Sequence, residues 1–167
     1  DPRVSNATPI SGFESIPVSY QTLKAIKNKV EDLDLLSNNL ILISPDEGAI
    51  NRVMYFSSIL KAPLGTFYKL RHYTRVVDGK DVLIIDDMIS SGDSMLDIAQ
   101  NMKERKARSV YCAASFALFT SGLDHFNKAY EEGYINGVLG SNLVYIPQEV
   151  KDAPSVFEVD CSKFVAL

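Results

Sequence analysis

The residues best suited to chemistry lie in one short stretch, where Asp86 and Asp87 follow a run of branched apolar residues at 82–85. Four such residues in succession predict a strand that is buried on both faces, because no polar position interrupts them. The paired carboxylates then lie at the carboxyl edge of a sheet. Carboxylate oxygens there can accept hydrogen bonds from ribose hydroxyls or bind through Mg²⁺.

The loop after these carboxylates has the composition of an anion site. Apolar residues at helical spacing from Met95 onwards predict a helix, so residues 90–94 form the loop and its first turn. Unpaired amides at a helix N-terminus and the positive end of its dipole stabilise a phosphate. Gly92 allows close backbone approach, and three hydroxyls are available, those of Ser90, Ser91 and Ser94. The stretch predicts a sugar-phosphate site; an acidic helix start capped by serine is the simpler alternative.

The elements that must position this stretch alternate along the chain. Short apolar runs predict parallel strands, with amphipathic segments as helices between them; the strands are expected at 40–43, 64–68, 82–86, 110–115 and 143–146. Thr120 and Ser121 are expected to cap the helix that contains Leu123, Phe126 and Tyr130. The pattern predicts an α/β fold with a parallel β-sheet flanked by helices on both faces. Ligands of such sheets bind outside the carboxyl ends of the strands.

The composition is that of one globular domain spanning 1–167. A length of 167 residues with 46% hydrophobic content allows a single sizeable core. A formal charge of −4 without a basic stripe argues against nucleic acid as a partner. No apolar run reaches the ~20 residues of a membrane span. Cys112 and Cys161 lack metal or disulfide spacing, so we expect buried, reduced thiols and a cytoplasmic protein.

Several other kinds of site are excluded by the sequence. It contains neither the glycine-rich loop of P-loop proteins nor the Gly-x-Gly-x-x-Gly of dinucleotide-binding folds. The two histidines, His72 and His125, are isolated residues and argue against a histidine metal site. We interpret His125 as an ordinary helix residue. We interpret His72 as a solvated loop residue, with a place near the active loop beside Arg71 as the alternative.

Three segments, in order, resemble type I phosphoribosyltransferases and ribose-phosphate pyrophosphokinases, the family that makes phosphoribosyl pyrophosphate (PRPP). Residues 82–94 resemble the PRPP-binding loop of the whole superfamily. Residues 44–49, Ser-Pro-Asp-Glu-Gly-Ala, resemble the pyrophosphokinase segment that binds metal and diphosphate. Residues 68–71, Tyr-Lys-Leu-Arg, resemble its catalytic Lys-x-Arg, and the leading segment 1–17 resembles the start of its second half. We therefore expect a type I phosphoribosyltransferase-like domain from the second half of a longer chain.

The resemblance implies a reaction and residue roles. The family transfers the diphosphoryl group of ATP to the C1 hydroxyl of ribose 5-phosphate, giving PRPP and AMP. Asp46 would bind Mg²⁺, and an Asx turn after Pro45 is the alternative role for this residue. Lys69 and Arg71 would neutralise charge on the transferred group. The ribose 5-phosphate would be held by Asp86, Asp87, Ser90, Ser91, Gly92, Asp93 and Ser94. The family also implies a homo-oligomer, either a dimer or a hexamer.

The sequence departs from the family pattern at several positions. Arg3 stands where the family has a metal-binding histidine, and Ala49 replaces a glycine of the diphosphate loop. The link from Arg71 to Asp81 is shorter than the family's mobile segment. Asp93 often is glycine in the family, and its charge would repel a phosphate unless its side chain faces solvent while its N–H faces the ligand.

Two alternatives to a PRPP synthetase stay open. A phosphoribosyltransferase that consumes PRPP would share the loop at 82–94, but no segment identifies a base-recognition hood. A non-catalytic, synthetase-like regulatory subunit would be consistent with Arg3 and Ala49, whereas Lys69 and Arg71 argue against it.

Overall fold

The computed structural model describes residues 18–30, 32–67 and 77–162. Its centre is a sheet of six strands in the order β2-β1-β3-β4-β5-β6, and every neighbouring pair is parallel. The strands are β1 (Leu40–Ser44), β2 (Leu64–Thr66), β3 (Asp81–Ile89), β4 (Ser109–Ala117), β5 (Gly137–Ser141) and β6 (Val156–Val159). The predicted parallel sheet is confirmed.

Helices cover both faces of this sheet. They are α1 (Val18–Lys29), α2 (Ile50–Leu60), α3 (Asp93–Glu104), α4 (Asp124–Glu131) and the short α5 (Gln148–Lys151). Alternate residues of β3 enter different apolar clusters: Leu83 and Ile85 pack with α1 and α2, while Val82 and Ile84 pack with α3, α4 and α5. The strand is buried on both faces, as its unbroken apolar run predicts.

The strand predicted at 143–146 is wrong, and β6 was not predicted. The fifth strand is instead Gly137–Ser141, which contains two glycines and therefore has a low strand propensity. Close packing explains them, because an added Cβ would lie 2.3 Å from the Phe157 ring at Gly137 and 2.5 Å from the Ala117 Cβ at Gly140. The predicted cap is also wrong, since the N-cap of α4 is Leu123, which makes no side-chain cap.

Both thiols are buried and neither forms a disulfide, as expected. Burial raises the pKa of the Cys112 thiol to about 12. No helix within the described ranges combines the length and apolar character needed to cross a bilayer.

A buried carboxylate closes the amino-terminal edge of the sheet. Asp81 is fully buried at the start of β3 and accepts a hydrogen bond from Arg108 Nε at 2.8 Å and a second one from Arg108 Nη2. Ser109 Oγ donates a third at 2.7 Å. These bonds raise the pKa of the Arg108 guanidinium. The charge of Asp81 is compensated, so we assign it a structural role.

Replacing Asp81 should therefore lower the free energy of unfolding without changing the structure of the opposite edge of the sheet. Asp81→Asn loses the charged character of three hydrogen bonds, and we expect it to lower the free energy of unfolding by about 2–3 kcal/mol in urea titrations. Asp97→Asn on the exposed side of α3 is the matched control. Equal urea midpoints for the two variants would contradict a structural role for Asp81.

Candidate functional site

Three carboxylates meet at the carboxyl edge of the sheet. The β1 and β3 strands are paired neighbours, with Asp46 in the loop after β1 and Asp86 and Asp87 in the carboxyl-terminal half of β3. Burial raises the pKa of Asp86 to about 6, and the charges of Asp87 and Asp46 add to the shift. The Asp87 N–H donates to Asp86 Oδ1 at 2.7 Å and partly offsets it. Among the described residues, this edge therefore concentrates negative charge.

A cation that the sequence reading missed faces this cluster. Arg52 lies on α2, and its Nη2 is 4.0 Å from Asp87 Oδ2. The two side chains are only 15% and 28% exposed, so the attraction is less screened than at an open surface. Arg52 is the only charged residue of α2, a signal that was available in the sequence. We infer that it orients the carboxylate of Asp87.

Asp46 has a structural contact of its own. Its Oδ1 accepts a hydrogen bond from the Ala49 N–H at 3.0 Å, and Ser44 Oγ donates to its backbone oxygen at 2.6 Å. The turn that was the alternative to metal binding is thus present. An added Cβ at Gly48 would lie 3.2 Å from Asp46 Oδ1, so the glycine keeps space beside the carboxylate.

The described part of this edge contains no preformed cluster of metal ligands. Within residues 18–30, 32–67 and 77–162, no group of three or more His, Cys, Asp or Glu side chains is placed to hold a metal ion. Mg²⁺ is usually held by one or two carboxylates, with waters and substrate phosphates completing its shell. Asp46 retains oxygen lone pairs for that role. Its oxygen chemistry is compatible with Mg²⁺ brought in by a phosphorylated substrate.

The loop between β3 and α3 depends on Gly92. Gly92 is the N-cap of α3 with a φ of 90°, in the left-handed region. An added Cβ would lie 2.2 Å from the ring of Phe126 on α4. Phe126 in turn makes an edge-to-face contact with Phe119, with ring centroids 5.2 Å apart. Only glycine satisfies both the backbone angle and the contact, and the contact places α4 beside the loop.

The hydroxyls of the loop are largely engaged within the protein. Ser90 Oγ lies 3.2 Å from Thr120 Oγ1, and the Thr120 N–H donates to the Ser90 backbone oxygen at 3.0 Å. Ser91 Oγ donates to Asp93 Oδ2 at 2.9 Å. Thr120 therefore supports the loop rather than capping α4. Ser94 is exposed in the first turn of α3, where backbone amides have no acceptor within the helix.

Asp93 has a second partner that sequence reading missed. The side chain of Asp93 is 63% exposed, and its Oδ1 is 3.2 Å from Nδ1 of His125. The interpretation of His125 as an ordinary helix residue is thus incomplete. No sequence signal connects two residues that lie 32 positions apart on different helices.

The remaining predicted site residues, Lys69 and Arg71, lie outside the described residues, as do Arg3 and His72. The nearest described strand is β2, which ends at Thr66. Thr66 pairs in register with Ser44 of β1, two residues before Asp46. The chain therefore leaves β2 at the same edge of the sheet as the three carboxylates.

Comparison with known proteins assigns the family. A model of the phosphoribosyl transferase domain family matches residues 19–131. This chain belongs to that family. It is 30% identical over 159 residues to a ribose-phosphate pyrophosphokinase of Mycoplasma pneumoniae, covering 89% of this chain and 48% of that protein. It is 27% identical over 153 residues to ribose-phosphate pyrophosphokinase 1 of Listeria monocytogenes, covering 86% and 47%. The chain spans about half the length of these curated relatives.

The fold agrees with the family. The crystal structure of phosphoribosylpyrophosphate synthetase from Mycobacterium smegmatis superposes with a TM-score of 0.67 at 20% identity, covering 87% of this chain and 48% of that chain. The expected type I phosphoribosyltransferase-like architecture is confirmed.

The contact between Gly92 and Phe126 can be tested with a matched pair of glycines. Gly122 also has a positive φ, of 76°, but an added Cβ there meets nothing within 4 Å. Gly122→Ala should show the backbone strain alone, whereas Gly92→Ala adds a steric clash worth about 1–3 kcal/mol. Urea unfolding of both variants measures the difference. Equal losses would mean that the Phe126 ring moves aside freely.

Proposed function

We propose that this chain forms part of a ribose-phosphate diphosphokinase, which transfers the diphosphoryl group of ATP to the C1 hydroxyl of ribose 5-phosphate. The products are PRPP and AMP. One observation supports this most strongly: the half-buried carboxylates of Asp86 and Asp87 adjoin the start of α3 at one edge of the sheet. Acceptors for sugar hydroxyls next to amide donors for a phosphate match a pentose phosphate. The naming of its relatives supports the same reaction.

In the proposed binding mode, the ribose and the 5-phosphate of ribose 5-phosphate are bound by two different parts of the sheet edge. Asp86 and Asp87 accept hydrogen bonds from the ribose hydroxyls, and Arg52 holds the carboxylate of Asp87. The 5-phosphate lies at the start of α3, on the backbone amides of the loop at 90–94. The Ser90 and Ser91 hydroxyls already have partners, so the amides and the Ser94 hydroxyl provide most of the donors.

Catalysis in this proposal is mainly positioning and charge neutralisation. Asp46 holds Mg²⁺, which when bound neutralises charge on the phosphates. Lys69 serves as a mobile point charge and Arg71 as a bidentate fork for the transferred group. We further propose that the whole protein is a cytoplasmic homo-oligomer, either a dimer or a hexamer, that uses ATP and ribose 5-phosphate.

The decisive experiment supplies ATP, Mg²⁺ and ribose 5-phosphate to the full-length protein and follows AMP and PRPP. We expect stoichiometric formation of both. Lys69→Ala should lower the rate about 100-fold, because a cation on the transferred group is lost. Lys80→Ala is the matched control, since its ammonium contacts Asn39 at the opposite edge of the sheet.

Other outcomes separate the alternatives. Release of diphosphate from PRPP with a base acceptor would identify a phosphoribosyltransferase. Binding of ribose 5-phosphate without AMP formation would identify a non-catalytic, synthetase-like subunit. Either result would overturn the synthetase proposal.

Asp86 provides a test of the binding mode. Asp86→Asn should weaken ribose 5-phosphate binding about tenfold in calorimetry, because a charged acceptor is lost. It should not lower the thermal midpoint at pH 7.5. A carboxyl whose folded pKa is raised to about 6 loses stabilisation as pH rises from about 4 to about 6, and the amide removes that loss.

The pH dependence supplies the control within the same variant. In metal-free buffer, the thermal midpoint of Asp86→Asn relative to the wild type should be higher at pH 7.5 than at pH 4.5. A large loss of stability at pH 7.5 would instead mean that the carboxylate is structural.

A further inference from the structure

A negatively charged side chain lies at the helix end of the proposed phosphate loop. Asp93 is the first residue of α3 and follows Gly92 directly. A carboxylate at a helix N-terminus is attracted to the same free amides and the same dipole that attract a phosphate. If it turned inward, it would also repel the phosphate directly. Asp93 is therefore a potential competitor of the ligand, and its orientation matters.

Each oxygen of this carboxylate has a partner outside α3. Ser91 Oγ donates to Oδ2 at 2.9 Å, and His125 Nδ1 lies 3.2 Å from Oδ1. With its proton on Nδ1, the imidazole is a donor to the carboxylate. One partner comes from the loop itself and the other from α4, and the carboxylate remains 63% exposed.

The position of His125 is set by its neighbour in sequence. Phe126 is fully buried, lies against Gly92, and packs edge-to-face on Phe119. This contact fixes the start of α4 beside the loop. The backbone of His125 is thus held next to Asp93, although its imidazole is 62% exposed. The contact between His125 and Asp93 therefore differs from a chance encounter of two flexible surface side chains.

We propose that His125 is a positioning residue that holds the Asp93 carboxylate on the outer side of the loop and so keeps the amides of α3 available to the 5-phosphate. The proposal rests on the proposed function, because it assumes a phosphate at the start of α3. His125 acts only through Asp93 and contacts no substrate.

The test compares ribose 5-phosphate affinities of the full-length protein and its variants by calorimetry at low salt. His125→Ala should weaken binding about two- to fivefold, the range for one exposed charge interaction. Asp93→Asn should tighten binding, because a negative charge near the phosphate is removed. Adding His125→Ala to Asp93→Asn should then have no further effect. The loss in His125→Ala should shrink at ~0.5 M salt, where the Debye length is only a few Å.

Two further variants exclude a purely structural explanation. His125→Asn retains a side-chain N–H donor and should restore most of the affinity. Lys128→Ala removes a cation of α4 that pairs with Glu132 instead of Asp93, and should leave the affinity unchanged.

Each result has a defined meaning. Wild-type affinity in His125→Ala at low salt overturns the positioning role while leaving the proposed function intact. The same loss in the Asp93→Asn background also overturns it, because the effect would not pass through Asp93. Failure of the wild-type protein to bind ribose 5-phosphate overturns the proposed function, and the positioning role with it.

Discussion

The burial of β3 on both faces is the constraint on which the rest of the structure depends. A strand packed between two helical layers can carry charge only at its ends, because an unpaired charge in its middle would be desolvated. Asp81 is the first residue of β3, and Asp86 and Asp87 lie towards its carboxyl end, where the strand is only partly buried. The difference between those ends separates stability from function. Arg108 and Ser109 satisfy Asp81, whereas burial raises the pKa of Asp86 to about 6.

The same layering links the candidate site to the helices around it. Arg52 reaches Asp87 from α2 on one face, and Phe126 packs beneath Gly92 from α4 on the other. The loop thus lies where two independent packing layers meet the edge of the sheet. Its geometry depends on the buried contact of Gly92 with Phe126 as well as on the hydrogen bonds of Ser90 and Ser91. This agrees with the general observation that a rigid scaffold positions functional loops.

Sequence patterns predicted best where each residue's environment depends on near neighbours. The runs at 40–43 and 82–86 lie within observed strands, since continuous branched apolar residues suit a strand buried on both faces. The strand that contains Gly137 and Gly140 was not predicted. Those positions require glycine because the Phe157 ring and the Ala117 methyl group, which are distant in sequence, pack against them. The cap at Thr120 failed for a similar reason, since its hydroxyl meets Ser90 across the loop.

By itself, the sequence determined the family resemblance, the parallel α/β architecture and the order of candidate residues. These features could be predicted because buried strands and glycine-containing loops are recognised from the types of a few consecutive residues. The tertiary structure alone decided which charges meet. It paired Arg52 with Asp87 and His125 with Asp93, and left Asp81 and Asp86 in opposite electrostatic situations on one strand. The physical reason is that electrostatic interactions depend on distance and burial in space, and neither can be read from spacing along the chain.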